Sequence, residues 1–267
     1  MNRFIKTTLV AASIALVSAC NTSPTGRTQV LLYNDAQLDE MGAQTFSSMK
    51  SEATISQKAT TNALVQCIAD ELLAHVDDSV FAGEWEVVVF DEPQVNAFAL
   101  PGGKIGVYTG LLDVAVNQHQ IAAVVGHEIG HVIAKHGNQR MSKSDLIGMG
   151  QQLLSSAVSA SETAQNNKFV QAFAAPAISF TGTAVNLYYS RDHETEADEI
   201  GIDLMAKAGF DPSESISLWE NMAAVGGSKP PEFLSTHPSE STRIKNLTAK
   251  LPSANTYYSD AEKATCE

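Results

Sequence analysis

The segment that decides the fold is QHQIAAVVGHEIGHVIAK, residues 118–135. Its apolar residues recur at helical spacing and Gly137 follows shortly after it, so we predict an amphipathic helix that this glycine closes. Positions i and i+4 of a helix share a face, so His127 and His131 can reach one metal ion. Glu128 lies within reach of a water molecule at that metal, and the segment therefore predicts a zinc site. A histidine pair without a metal is the alternative.

A catalytic zinc ion needs a third protein ligand and an open coordination position. A third histidine ten residues after His127 would complete one common pattern, but Gly137 occupies that position. His136 is one residue out of register, and we expect it to contact the terminal carbonyl groups of the helix instead. The third ligand is therefore expected elsewhere in the chain.

Carboxylates in the segment SRDHETEAD, residues 190–198, are the better candidates. Glu194 and Asp198 are four residues apart on a predicted helix, so they share a face. One of them can bind zinc while the other accepts a hydrogen bond from the far nitrogen of a ligand histidine. Glu196, on a different side of the helix, is the rival ligand. Otherwise we expect a solvent-exposed face for the remaining polar residues, which are Asp192, His193 and Glu196.

Composition excludes several classes of function. The 267 residues are 44% hydrophobic and 18% charged, with a formal net charge of -13. A disordered chain would be poorer in apolar residues and a nucleic-acid-binding protein would usually be basic, so neither class fits. The hydrophobic pattern favours a helix-dominated α+β fold in one domain with one small sheet. The predicted helices are 34–50, 62–75, 118–135, 144–158, 184–208, 212–225 and 239–251, and the predicted strands are 84–90, 96–100 and 104–108.

Three separated motifs make the chain resemble a known family. HEIGH at residues 127–131, SRxxExxAD at 190–198 and NAFALPGG at 96–103 together are similar to the CAAX-prenyl-protease/HtpX-type zinc metallopeptidases, above all to their short periplasmic lipoprotein members. The resemblance implies a gluzincin-like metallopeptidase domain at residues 34–251, with the small β-sheet beside the active-site helix. It also implies one Zn2+ per chain as the cofactor.

The resemblance assigns roles to single residues. It implies that the catalytic residue is Glu128 and that the zinc ligands are His127, His131 and Glu194. Asp198 matches an acidic position that either supports a ligand or donates a proton, and its helical spacing from Glu194 favours support. The segment HPxxxxR, residues 237–243, implies that His237 lies near the metal. There it would stabilise the oxyanion or occupy the open position as a gate, whereas an ordinary loop histidine is the alternative.

The first twenty residues predict an export signal. A positively charged start precedes an apolar run at residues 7–17, which is too short to span a bilayer. VSAC, residues 17–20, resembles a bacterial lipobox, so we expect removal of residues 1–19 and lipidation of Cys20; an ordinary signal peptide is the alternative. Residues 20–33 would form a lipidated terminus and tether. The chain would then face the periplasm from the outer membrane of a Gram-negative bacterium, held by lipid alone.

Lipidation of Cys20 would leave two further cysteines, Cys67 and Cys266. In an oxidising periplasm we expect them to form one disulfide that holds the C-terminal tail, residues 252–267, to an early helix. Two unpaired thiols are the alternative.

These features predict a zinc-dependent metalloendopeptidase that acts on misfolded or unassembled cell-envelope proteins, with Glu128 as the general base for water at the zinc. An exposed edge strand would bind extended substrates through its main chain, and the expected contacts are Asn96, Ala97, Phe98 and Ala99. Other envelope proteases and assembly factors are candidate partners, whereas nucleic acid is not. The alternative is a zinc-stabilised lipoprotein that chaperones outer-membrane proteins without cutting them. A hydrolase of non-peptide substrates shares the same motif.

Overall fold

The computed structural model describes residues 20–159, 189–225, 233, 237 and 241–266. The predicted signal peptide, residues 1–19, lies outside the described residues, as does the start of the predicted helix at 184–208. The chain divides into two compact units. The small unit contains Met1–Tyr33 and Asn138–Leu187, and the large unit contains Asn34–Gly137 and Tyr188–Glu267. Within the described residues, no helix combines the length and the apolar character that crossing a membrane requires.

The described part of the small unit begins with a β-hairpin where the sequence predicts a tether. Strand β1 (Cys20–Thr22) pairs antiparallel with β2 (Thr28–Val30). The chain after the hairpin contacts a helix in the same unit, because the Leu32 amide donates to Ser142 Oγ at 2.8 Å. The predicted tether segment therefore contains regular structure beside its expected lipid site.

The large unit carries the other elements in chain order, of which the short helix at 109–112 was not predicted. They are α1 (Asp35–Glu52), α2 (Ala59–Leu73), β3 (Glu86–Phe90), β4 (Ala97–Leu100), β5 (Lys104–Tyr108), α3 (Thr109–Leu112), α4 (Gln118–Ile133), the start of α5 (His136–Ser159), α6 (Arg191–Lys207), α7 (Glu214–Val225) and α8 (Ser241–Asp260). The strand order is β3-β5-β4, in which β3 and β5 run parallel and β4 is antiparallel to β5. The predicted α+β class is confirmed, with two small sheets where one was expected.

Helix α4 is the core element that positions the site. Asn117 caps its N-terminus by accepting a hydrogen bond from the Gln120 amide at 2.9 Å. All residues from Gln120 to His131 are buried, including the apolar residues that pack into the main hydrophobic cluster. A helix buried on all sides leaves its few polar side chains no solvent, so their partners must come from the protein or from a bound group.

Several helix boundaries differ from the prediction, and one of them is the start of α5, which is His136 and not residue 144. Helix α4 ends before Lys135, whose φ of 55° turns the chain in the left-handed region, so Gly137 is inside α5 and does not close α4. Helix α8 continues past the predicted end at residue 251 to Asp260, with Pro252 in its interior. Proline removes one backbone donor and usually ends a helix. Here contacts at the C-terminus keep the following segment in place.

The C-terminal tail is fixed to α2 and α4. Cys266 forms a disulfide with Cys67, with a Cα–Cα distance of 5.6 Å. The Cys266 amide donates to Gln118 Oε1 at 2.8 Å, and the Ala264 amide donates to the Gly209 carbonyl at 3.2 Å. In the structure, the two cysteines therefore form the disulfide that the sequence predicts.

Candidate metal centre and active site

Four buried side chains in the large unit converge on one point. Helix α4 supplies His127 and His131, α6 supplies Glu194, and His237 follows Phe233, whose ring stacks on it at 4.5 Å. One ligand atom from each of the four lies within 4.8 Å of the others. The Nε2 atoms of the two α4 histidines are 3.1 Å apart, and His237 Nδ1 is 3.2 Å from His127 Nε2. Nitrogen and oxygen donors grouped in this way form a candidate metal centre.

Glycines allow α4 and α6 to approach closely enough for this grouping. A Cβ atom on Gly130 would lie 2.8 Å from the Ala197 carbonyl oxygen, and one on Gly201 would lie 2.8 Å from the His127 amide nitrogen. Both distances are shorter than real Cβ contacts. The backbones therefore touch at these positions, which places Glu194 beside both histidines.

Asp198 supports His127 from the side opposite the cluster. His127 Nδ1 is 2.9 Å from Asp198 Oδ1, so His127 can donate there while Nε2 faces the other ligands. Arg243 donates to both oxygens of Asp198 and, through Nη1, to Glu194 at 3.1 Å. Its guanidinium also lies 3.5 Å from the ring centroid of Trp219. This arrangement fits the supporting role predicted for Asp198.

Burial and charge set the ionisation of the cluster. Burial opposes ionisation of Glu194, but hydrogen bonds from the three histidines hold its pKa far below the usual value. Burial and the Arg243 charge oppose protonation of His127, yet Asp198 and Glu194 raise its pKa to about 9. Burial lowers the pKa of His131 well below its usual value. The centre thus combines an ionised carboxylate with imidazoles whose proton affinities differ strongly.

Glu128 is placed where a catalytic base would be needed. It is buried, its Oε1 makes no hydrogen bond to the described residues, and His237 Nε2 lies 3.4 Å away. Burial raises the pKa of the Glu128 carboxyl. A buried carboxylate oxygen without a partner is costly unless a bound group satisfies it. Its position next to the ligand cluster fits a site built for zinc and a reacting water molecule.

The donor set itself also fits zinc. Two histidines and one carboxylate are a common protein ligand set of catalytic zinc sites, in which the fourth position stays open. His237 lies beside these donors, since its Nδ1 is 3.1 Å from Glu194 Oε1. The ligand residues His127, His131 and Glu194 can therefore hold the ion while Glu128 and His237 adjoin it.

Three residues differ from their predicted positions. His136 contacts side chains, where helix carbonyls were expected: its Nδ1 is 2.8 Å from His131 Nδ1, and its Nε2 is 3.0 Å from Glu196 Oε2. Glu196 and His193 are buried, and only Asp192 lies on the expected exposed face. The prediction for Glu196 and His193 was wrong because residue spacing gives the side of the helix but not what packs against it.

Sequence reasoning also missed two aromatic contacts of the centre. Tyr189 stacks on His131 with ring centroids 3.8 Å apart, and Trp219 supports Arg243. Aromatic residues in helical segments are mostly core residues, so no sequence signal distinguishes these two.

The predicted substrate strand is found at the edge of its sheet, but it is not exposed. Within the described sheet, β4 pairs with β5 alone. All four predicted contact residues are buried, and they are Asn96, Ala97, Phe98 and Ala99. Phe98 packs among Phe46, Phe90 and Tyr108. The expectation of an exposed edge was therefore wrong, because this aromatic cluster and the neighbouring elements cover the strand.

Comparison with known proteins agrees with the geometry of the centre. Residues 59–251 match the model of Peptidase family M48. The chain is 36% identical over 196 residues to the mitochondrial metalloendopeptidase OMA1 of Saccharomyces cerevisiae, which covers 70% of this chain and 53% of the yeast protein. It thus spans about half the length of that relative.

Two bacterial proteins are also similar. The metalloprotease YcaL of Escherichia coli is 28% identical over 165 residues, covering 62% of this chain and 61% of YcaL. The β-barrel assembly-enhancing protease of the same organism is 26% identical over 264 residues, covering 91% of this chain and 52% of that protein. Peptidases of the matched family use zinc, which the buried donor set fits. The matched region contains the helices that carry His127, His131 and Glu194, and the chain belongs to Peptidase family M48.

Proposed function

We propose that this protein is a zinc-dependent metalloendopeptidase that hydrolyses peptide bonds in misfolded or unassembled cell-envelope proteins. The observation that carries the proposal is the buried Glu128 oxygen, which accepts no hydrogen bond from the described residues, beside the cluster of His127, His131 and Glu194. A purely structural metal site has no need of such a base.

The residues of the centre divide the chemistry among them. His127, His131 and Glu194 would hold the zinc ion, which when bound would supply a Lewis acid for the substrate carbonyl and for water. Glu128 takes the proton of the attacking water and delivers it to the leaving amine. Burial raises the pKa of Glu128, which brings the carboxyl closer to the range in which it can both accept and release this proton. Asp198 keeps His127 in the tautomer whose Nε2 faces the metal.

His237 has two candidate roles, and its position supports one of them. Its Nδ1 lies 3.1 Å from Glu194 Oε1 and 3.2 Å from His127 Nε2, so it stands among the ligand atoms. We assign it the gate role, in which it occupies the fourth position until substrate displaces it. His237→Ala would then cleave substrate faster than the wild-type chain, whereas an oxyanion role predicts slower cleavage.

The substrate main chain is assigned to the outer edge of β4. The edge position supports this assignment, because an extended segment can add to an unpaired strand through backbone hydrogen bonds. Since Asn96–Ala99 are buried, the cover of this edge has to open first.

The proposed location and substrates rest on the N-terminal sequence and on similarity. Residues 17–20 resemble a lipobox, so we propose that a lipid on Cys20 holds the chain at the outer membrane, facing the periplasm. Similarity to a protease named for enhancing β-barrel assembly supports envelope proteins as substrates and assembly factors as partners.

The variant Glu128→Gln tests the proposal with the smallest change in shape. We expect wild-type protein loaded with zinc to cleave unfolded casein, and the variant to keep its zinc content and unfolding temperature while losing at least about a hundredfold in rate. Glu71→Gln makes the same substitution on the exposed side of α2 and should cleave like wild type. Undiminished cleavage by Glu128→Gln would overturn the proposal. Equal rescue of an envelope defect by the wild type and by Glu128→Gln would favour the chaperone alternative.

A further inference from the structure

We propose that His136 and Glu196 are positioning residues, which fix the orientation and the tautomer of the zinc ligand His131. The inference rests on the metal centre of the proposed function but not on proteolysis itself. His131 Nδ1 is 2.8 Å from His136 Nδ1, and His136 Nε2 is 3.0 Å from Glu196 Oε2. All three side chains are buried.

The order of the hydrogen bonds follows from the chemistry of the groups. An ionised Glu196 can only accept, so His136 donates from Nε2. A neutral imidazole with its proton on Nε2 accepts at Nδ1, and His131 therefore donates from its own Nδ1. The remaining lone pair of His131 is then on Nε2, which lies 3.1 Å from His127 Nε2 and faces the cluster. The chain of hydrogen bonds selects the tautomer that can bind a metal.

The two ligand histidines are thus held by different sets of hydrogen bonds, and both sets lead to carboxylates of α6. His127 contacts the Asp198 carboxylate directly at 2.9 Å. Glu196 lies on another side of α6, two residues before Asp198, and the ring of His136 bridges the gap from there to His131. Each ligand histidine is therefore connected to a carboxylate of α6. His127 contacts Asp198 directly, and His131 is connected to Glu196 through the His136 imidazole.

The local backbone explains how His136 can lie beside His131, five residues earlier. Lys135 turns the chain with a φ of 55°, a conformation that L side chains rarely adopt, and α5 begins at the next residue. Ring stacking fixes the orientation of the His136 and His131 imidazoles. His193 stacks on His136 with centroids 4.3 Å apart, and Tyr189 stacks on His131 at 3.8 Å.

The test compares zinc affinity in two variants of His136. His136→Phe keeps a ring of similar size for the stack on His193 but cannot accept a hydrogen bond. His136→Gln offers an amide oxygen to His131 and an amide N–H to Glu196, so it can restore both bonds. In competition with a chelator of known affinity, we expect the zinc dissociation constant of His136→Phe to rise about 10–100-fold, and that of His136→Gln to recover part of the loss. Cobalt(II) in place of zinc should show an altered visible spectrum in the Phe variant and a near-native one in the Gln variant.

Controls separate this positioning role from packing and from the proposed function. His75→Phe makes the same substitution at an exposed histidine and should leave zinc affinity unchanged. If His136→Phe does not fold, Glu196→Ala removes the last acceptor and should weaken zinc binding in the same direction. Wild-type zinc affinity and cobalt spectrum in a folded His136→Phe, or in Glu196→Ala, would overturn the inference. A protein that binds zinc but cleaves no substrate, either as wild type or as His237→Ala, would overturn the proposed function and leave this measurement valid.

Discussion

Replacing Gly130 with alanine should separate the two helices that build the metal centre. The added Cβ would lie 2.8 Å from the Ala197 carbonyl oxygen and 3.2 Å from its Cα. Ordinary contacts of this kind begin at 3.4 Å, so α4 and α6 must move apart by about 0.6 Å. The contacting atom belongs to the backbone, so no side-chain rotation can relieve the overlap.

That displacement is large on the scale of metal coordination. Ala197 lies between Glu194 and Asp198 on α6, so the ligand and the support of His127 both move with it. Metal–ligand distances tolerate only about 0.2 Å, so we expect at least a tenfold loss of zinc affinity in Gly130→Ala. Stability should change less, because overpacking costs about 1–3 kcal/mol while alanine gains about 1 kcal/mol over glycine in a helix.

Gly150→Ala is the matched control, since this glycine is also helical but a Cβ there would meet nothing within 4 Å. Zinc affinity by chelator competition and unfolding temperature should be measured on both variants. The control should keep wild-type affinity and gain slight stability from helix propensity. Wild-type zinc affinity and casein cleavage in Gly130→Ala would show that the glycine contact does not set the geometry of the centre.

Two further predictions follow from charge and from the disulfide. Because Asp198 and Glu194 raise the pKa of His127 to about 9, the metal-free protein holds a proton there at neutral pH, and zinc must displace it. Zinc binding should therefore release about one proton, and zinc affinity should rise with pH up to about 9. Calorimetry in buffers of different ionisation enthalpy counts the released protons. A count of zero would contradict the proton on His127. Changing both Cys67 and Cys266 to serine opens a loop whose ends are 199 residues apart, which should cost about 5 kcal/mol of unfolding free energy. An unfolding temperature equal to that of the oxidised wild type would contradict that stabilising role.

The features that could be predicted from the sequence are those that local geometry determines. A helix puts residues four apart on one face, so the pairing of His127 with His131 is visible in the spacing alone. The same rule brings Glu194 and Asp198 to one face of α6, and the structure places both beside the histidines. Each of the three strands of the larger sheet lies within its predicted range, and β3 is a run of β-branched and aromatic residues.

The features that could not be predicted depend on contacts between distant segments. The helix continues through Pro252 to Asp260, and the tail beyond it is held at Gly209 and Gln118, contacts that local propensity does not describe. The sequence shows a glycine at residue 137 as the likeliest helix end, but the turn is made by Lys135 in an unusual conformation. The aromatic cover of β4 likewise joins residues from three separate elements.

Ligands and their supports are encoded differently for a physical reason. A ligand must bring one atom to one point, so its helix position is restricted and its spacing recurs in a readable pattern. A support has only to end a chain of hydrogen bonds on a buried acceptor, and that acceptor can approach from any direction. Asp198 satisfies this need directly because it shares a helix face with Glu194, whereas His131 needs the ring of His136 to reach Glu196. The supporting role of Asp198 was therefore predictable from its spacing to Glu194. The supporting role of His136, which lies beside His131 because of the left-handed turn at Lys135, was not predictable.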